Sequence, residues 1–78
     1  MAEKELVEFI AKSLVDEPDN VNVQIVQGEK CTILELKVAG DDIGKVIGKH
    51  GRIAKAIRTI LGAMTTKTGK RVILDIID

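Results

Sequence analysis

Apolar residues in this chain follow two rhythms, one of three to four positions and one of two. Between residues 3 and 15, Leu6, Ile10 and Leu14 recur every fourth position, with Val7, Ala11 and Val15 beside them. That is the spacing of a helix with one buried face. Glu3 and Glu5 fall in its first turn, where negative charge complements the helix dipole. Asp16-Glu17-Pro18-Asp19-Asn20 ends it, because the residue before a proline is pushed out of the helical region. From Val21 to Ile25 apolar and polar residues alternate, the period of a half-buried strand. Gln27-Gly28-Glu29-Lys30 reads as a turn, and Cys31 to Val38 resumes as a second strand, so a hairpin is expected. Leu34, Leu36 and Val38 share one face of that strand, and Ile33, Glu35 and Lys37 share the other. A bare hairpin is marginal in water, so the first helix must cover its apolar face.

The second half returns to the helical period. Ala39-Gly40-Asp41-Asp42 turns the chain, and Asp41 or Asp42 can cap a short helix over about 42–47. Ile43, Val46 and Ile47 mark its buried side, and Lys45 faces out. After Gly51 comes the longest regular pattern. Ile53, Ile57, Ile60, Leu61 and Met64 form an apolar stripe. Arg52, Lys55 and Thr59 form another face, with Arg58 beside it, and Gly62 weakens the helix end. Thr65 to Arg71 is a polar, basic loop. Val72 to Ile77 is a final strand whose nearly continuous apolar run predicts a largely buried position. The order is helix, strand, strand, helix, helix, strand. Helices layered on one face of a three-stranded sheet satisfy every apolar stripe.

At 78 residues the chain reads as one domain. A domain of this size buries only about 60% of the surface its unfolded chain exposes, so its core is small and a partner would add stability. Cys31 is the only cysteine, which excludes an intramolecular disulfide framework. The acidic, helical start is unlike a signal peptide, and no run approaches the roughly 18 apolar residues of a membrane helix. A cytoplasmic protein with no membrane partner is therefore expected. Net charge is zero, but the charges are segregated: residues 1–39 carry eight acids and four bases, and residues 40–71 carry eight bases and two acids. One basic segment in a neutral chain fits a local anion-binding face.

The candidate chemistry centres on Val46-Ile47-Gly48-Lys49-His50-Gly51-Arg52-Ile53. Glycine disfavours a helix interior by about 1 kcal/mol relative to alanine, so the pair reads as a tight turn between two helices. A turn without side chains lets another backbone approach closely. It also exposes N–H groups at the positive end of the following helix. Lys49 supplies a mobile point charge for phosphate, Arg52 a fork, and His50 a further donor. A plain helix–turn–helix corner with solvated bases remains the competing reading of these residues alone.

Catalytic and metal sites are not indicated, and no cofactor is expected. His50 and Cys31 are single and lie in unrelated contexts. Zinc would need about four ligands at suitable spacing. Asp41 and Asp42 fit capping better than acid–base work. Gly40, Gly44 and Lys45 only superficially resemble a nucleotide phosphate loop: three residues separate the glycines where that motif has four, and Val46 replaces its hydroxyl.

The stretch from Val46 to Ile53 resembles the signature of the K-homology (KH) domain, and the element order resembles its type II arrangement over nearly the whole chain. The acidic first helix, the Asp-Glu-Pro-Asp-Asn turn and the short last strand resemble the small stand-alone bacterial KH proteins of the KhpA (YlqC) family. The resemblance implies an α+β fold, a single KH domain over 1–78, with a three-stranded mixed sheet and three helices on one face. It implies that Gly48, Lys49, His50 and Gly51 clamp the backbone of about four single-stranded RNA nucleotides. Ile47 would help floor the groove. Lys67, Lys70 and Arg71 would wall it from the loop before the last strand. Lys45, Arg52 and Lys55 would extend the phosphate track.

Single-strand binders often stack bases on aromatic rings, and Phe9 is the only aromatic residue here. Weak, salt-sensitive binding with little sequence choice is expected from one copy. The resemblance further implies pairing, as a homodimer or with a larger RNA-binding protein of the KhpB (Jag) type. It also implies roles in RNA chaperoning, post-transcriptional regulation and cell-wall or cell-shape control. The alternative function is a protein-interaction adaptor that mainly recruits such a partner.

Overall fold

The computed structural model describes residues 2–65 and 69–77. Its elements are α1 (Ala2–Leu14), β1 (Asn22–Gln27), β2 (Cys31–Lys37), α2 (Ile43–Ile47), α3 (Arg52–Thr65) and β3 (Arg71–Ile77). Short 3-10 turns at Pro18–Asn20, Gly40–Asp42 and Lys49–Gly51 join them. β1 and β2 pair antiparallel from Asn22↔Lys37 to Gln27↔Thr32. The Gly28 N–H closes their hairpin on the Cys31 carbonyl at 2.8 Å. β3 runs parallel to β2, from Cys31↔Arg71 to Lys37↔Ile77. Parallel neighbours need a crossover rather than a tight turn, and α2 with α3 provides it. β2 is therefore the central strand of a mixed sheet in an α+β fold.

The core lies between one sheet face and the three helices. Val23 of β1, Leu34 and Leu36 of β2, Val38 just beyond it and Leu74 of β3 meet Val7, Ala11, Val15, Val46, Ile57 and Leu61. The alternation read from β2 holds: Thr32, Leu34 and Leu36 are buried, whereas Cys31, Ile33 and Glu35 on the other face are only half-buried. On α1 the axis of the stripe is shifted by one residue. Val7, Ala11 and, just past the helix end, Val15 are buried, Leu6 and Ile10 are half-buried, and Leu14 is exposed.

Two expectations are corrected. Ile60 does not join the buried stripe of α3 and remains 45% exposed. Ala54, Ile57 and Leu61 fill the contact, and Ile60 sits past its edge. β3 is not a largely buried strand. It occupies an edge of the sheet, and because helices cover one face only, Leu74 is buried while Arg71, Ile73 and Asp75 are exposed. An apolar run in a strand signals burial on both faces only where both faces are covered.

These positions separate core from surface on one helix. Leu61→Ala should destabilise the fold by about 2–5 kcal/mol, as deletion of a fully buried leucine does. Ile60→Ala should change stability by less than about 1 kcal/mol. Urea unfolding of both variants checks this, and equal losses would contradict the packing described.

Candidate nucleic-acid interface

α2 and α3 meet at the corner Gly48-Lys49-His50-Gly51. α2 stops because Gly48 leaves helical geometry at φ 80°, ψ 169°, a region open essentially to glycine alone. Its N–H still reaches the Gly44 carbonyl at 2.9 Å. A Cβ on Gly48 would lie 2.6 Å from Ile53 Cγ1 and 2.9 Å from the Ile53 backbone nitrogen. Gly48 is thus required both by its dihedral angles and by the close approach of α3. The Gly51 N–H donates to the Gly48 carbonyl at 3.0 Å. Gly51 has φ 73°, with open space where a side chain would stand. Between them His50 adopts φ 59°, ψ 24°, a left-handed conformation uncommon outside glycine but enriched in histidine.

This corner puts several donors in one place. Lys49, His50 and Arg52 are exposed, and Gly48, Gly51 and Ile47 are half-buried. α3 begins at Arg52 and runs for 14 residues, so its positive dipole end faces the corner, while the Arg52 N–H itself donates to the Lys49 carbonyl. Backbone donors, a lysine, a histidine and an arginine form a setting that suits an anion.

The basic residues expected to extend this track are placed unequally. Lys55 lies exposed one turn beyond Arg52. Next along α3, Arg58 directs Nε and Nη2 at the Leu74 carbonyl, each at 3.4 Å. A shallow groove of about 220 Å³ between α3 and β3 is lined by Arg58, Gly62, Thr65, Arg71, Val72, Ile73 and Leu74. Arg71 therefore shares a groove with the helix that starts at the corner. Lys70 reaches the β1–β2 hairpin instead, donating to Gln27 Oε1 at 2.8 Å. Lys67 lies outside the described residues.

Lys45 is engaged elsewhere. Its Nζ lies 3.3 Å from Asp16 Oδ2 and 3.3 Å from Asp42 Oδ1. Asp42 makes no side-chain cap to α2, contrary to the expectation. Its side chain is turned across the fold, where Oδ2 accepts the Glu17 N–H at 3.1 Å. Asp42 is only 2% exposed. Burial pushes its carboxyl pKa up, but the Glu17 and Asp16 backbone N–H groups and the Lys45 ammonium outweigh burial and hold it below the usual aspartate value. Hydrogen bonds to Asp16 and then Asp42 hold the Lys45 ammonium above the usual lysine value. Sequence reasoning missed both this cluster and Arg58, because their partners lie 25 and 16 residues away.

Among the described residues, no three His, Cys, Asp or Glu side chains gather where they could hold a metal ion. No described helix is long and apolar enough to cross a membrane.

Residues 4–76 match the family described as KhpA/KhpB, KH domain. The chain is 59% identical over 76 residues to the RNA-binding protein KhpA of Borreliella burgdorferi, covering 97% of this chain and 93% of that one. It is 64% identical over 74 residues to the RNA-binding protein KhpA of Clostridium acetobutylicum, covering 95% and 99%. A crystal structure of an Era variant from Aquifex aeolicus, bound to GDP and aluminium fluoride, superposes with a TM-score of 0.61 at 23% identity. That match covers 96% of this chain and 29% of Era, and shows likeness of fold.

Two tests follow from the corner and the Asp42 cluster. Gly48→Ala should destabilise the protein by about 2–3 kcal/mol. Gly44→Ala, with nothing within 4 Å of the added carbon, should be neutral or stabilising by up to about 1 kcal/mol. Urea unfolding distinguishes them. Because the folded Asp42 pKa is depressed, its contribution is present above the unfolded carboxylate value of about 3.9. That contribution is lost as pH falls through the folded value. Melting temperatures followed from about pH 6 to about pH 2 should therefore converge between wild type and Asp42→Asn. A constant difference would contradict the assignment.

Proposed function

The chain belongs to the KhpA/KhpB KH-domain family, and from that premise we propose that it binds single-stranded RNA by clamping phosphates at the Gly48–Gly51 corner. The supporting observation is the corner itself. Two glycines with positive φ flank exposed Lys49 and His50 at the N-terminal end of a 14-residue helix. Gly48 and Gly51 admit a sugar–phosphate backbone. Lys49, His50 and Arg52 supply charge and donors, and Ile47 supplies an apolar edge. Lys55 and Arg71 continue the track toward the α3–β3 groove. Lys45 and Lys70, with acceptors already engaged, contribute less, and Lys67 is assigned to the wall of the groove from the sequence.

The ligand is read through its backbone more than its bases. Phe9, the only Phe, Tyr or Trp in the chain, stands 71% exposed on α1, so His50 is the one ring at the corner. Specificity is correspondingly low for one copy. The role is that of a cytoplasmic RNA chaperone or post-transcriptional regulator acting as a single KH domain, with a link to cell shape. A second copy, or a KhpB-type partner, would raise affinity through effective concentration. The adaptor reading is favoured by one observation: Ile60 remains exposed next to Ala56, and both line a shallow depression on α3.

The test pairs Lys49→Asp with His50→Asp and titrates a fluorescent single-stranded RNA at low salt. Affinity should be lost while the melting temperature is kept. For wild type, three or four clamped phosphates should give a log–log salt slope of about −2 to −3. Unchanged affinity in the double variant would overturn the clamp.

A further inference from the structure

Neither the phosphate clamp nor the hydrophobic core accounts for Asp42, a carboxylate only 2% exposed at the start of α2. Its two oxygens face different parts of the chain. Oδ2 accepts the Glu17 N–H at 3.1 Å, and Oδ1 lies 3.3 Å from Lys45 Nζ. The same ammonium lies 3.3 Å from Asp16 Oδ2. The segment that leaves α1 is thereby tied to the first turn of α2.

What α2 carries gives this tie a purpose. The helix has five residues, too few to hold its own shape or direction, since isolated helices shorter than about 12 residues are marginal in water. Its direction is set by what it touches. Val46 anchors it in the core and Ile43 packs against that core, but apolar contact is non-directional and does not by itself set an angle. At the far end Gly48 bonds to Gly44 and begins the corner. At the near end the backbone bonds of the Gly40–Asp42 turn hold only neighbouring residues, and the directional side-chain tie to another element comes from Asp42. Five residues span about 7.5 Å along a helix axis. A tilt of roughly 10° would move the corner by about 1.3 Å, beyond the ~0.5 Å within which a binding constellation must be held.

We propose that Asp42, acting with Lys45 and Asp16, is a positioning residue for RNA binding: it fixes the angle at which α2 presents the Gly48–Gly51 corner to phosphate. The proposal rests on the clamp reading above. It also assigns Lys45 an indirect role, as the cation that holds Asp42 rather than a phosphate contact.

Three variants of the full chain test it: Asp42→Ala, Asp42→Asn and Lys45→Met. Asp42→Asn keeps an acceptor for the Glu17 N–H but presents no charge to Lys45. Two readouts are taken well below each melting temperature. The first is the amide NMR signals of Gly48 to Gly51 in protein without RNA. The second is affinity for a labelled uridine dodecanucleotide across a salt series. In Asp42→Ala the corner signals should shift while those of the buried β2 residues Leu34 and Leu36 stay in place. Affinity should fall roughly 5- to 100-fold, the scale of an ångström-level misplacement. The salt slope should not change, because no phosphate contact is removed. Asp42→Asn should lie between wild type and Asp42→Ala.

Lys45→Met should weaken binding with the slope retained. A slope shallower by about 0.7 would make Lys45 a phosphate contact and overturn its indirect role. Folded Asp42→Ala with unmoved corner signals, or with wild-type affinity, overturns the proposal. If Asp42→Ala unfolds, Asp42→Asn and Lys45→Met decide by the same criteria. Failure of the clamp reading is separately visible as wild-type protein that does not bind the oligonucleotide. The NMR arm needs no RNA and still decides whether Asp42 positions the corner.

Discussion

The contact between Gly48 and Ile53 governs the geometry of the functional end of the molecule. Two helices, α2 and α3, are brought so close that a single methyl carbon on Gly48 would collide with both the side chain and the backbone of Ile53. That proximity allows a four-residue corner to replace a loop. It also places the start of α3, with the positive end of its dipole, beside Lys49 and His50. Without the close approach the bases would sit on a longer connection and lose their common orientation. The unusual backbone of His50 follows from the same constraint, since the chain must reverse within the corner and His50 lies between its two glycines.

Charge is distributed to match this geometry. The protein is neutral as a whole, and two groups of its bases do different work. Lys49, His50, Arg52 and Lys55 stand exposed along the corner and the first turns of α3. Lys45, Lys70 and Arg58 are turned toward acceptors within the fold. A count of lysines and arginines therefore overstates the charge offered to an anion. The acidic first half of the chain contributes to this sorting, because Asp16 reaches across to Lys45.

Most of the fold was legible because its elements are written in local periodicity. The first helix, the hairpin, the long helix after Gly51 and the last strand lie where the apolar spacing puts them. The two-glycine corner was legible for a related reason, since glycines so close together cannot extend a helix. What stayed hidden depends on partners far along the chain. Nothing near Asp42 announces that its carboxylate bonds to Glu17 instead of capping α2. The exposure of Ile60 and Ile73 was hidden too, because hydrophobicity records that a residue prefers burial but not whether a neighbouring element arrives to cover it. β3 shows this clearly: its composition suits a strand covered on both faces, yet helices cover only one.

That position at the sheet margin has a consequence beyond the single chain. A marginal strand presents backbone donors and acceptors that another chain could pair with, which is the usual first step of edge-to-edge aggregation. Arg58 stands against that outcome. By laying its guanidinium on the Leu74 carbonyl, it occupies an acceptor midway along β3 and sets a charged, planar obstacle where an incoming strand would have to register. The side chain that joins α3 to the sheet thus also covers part of the sheet's margin.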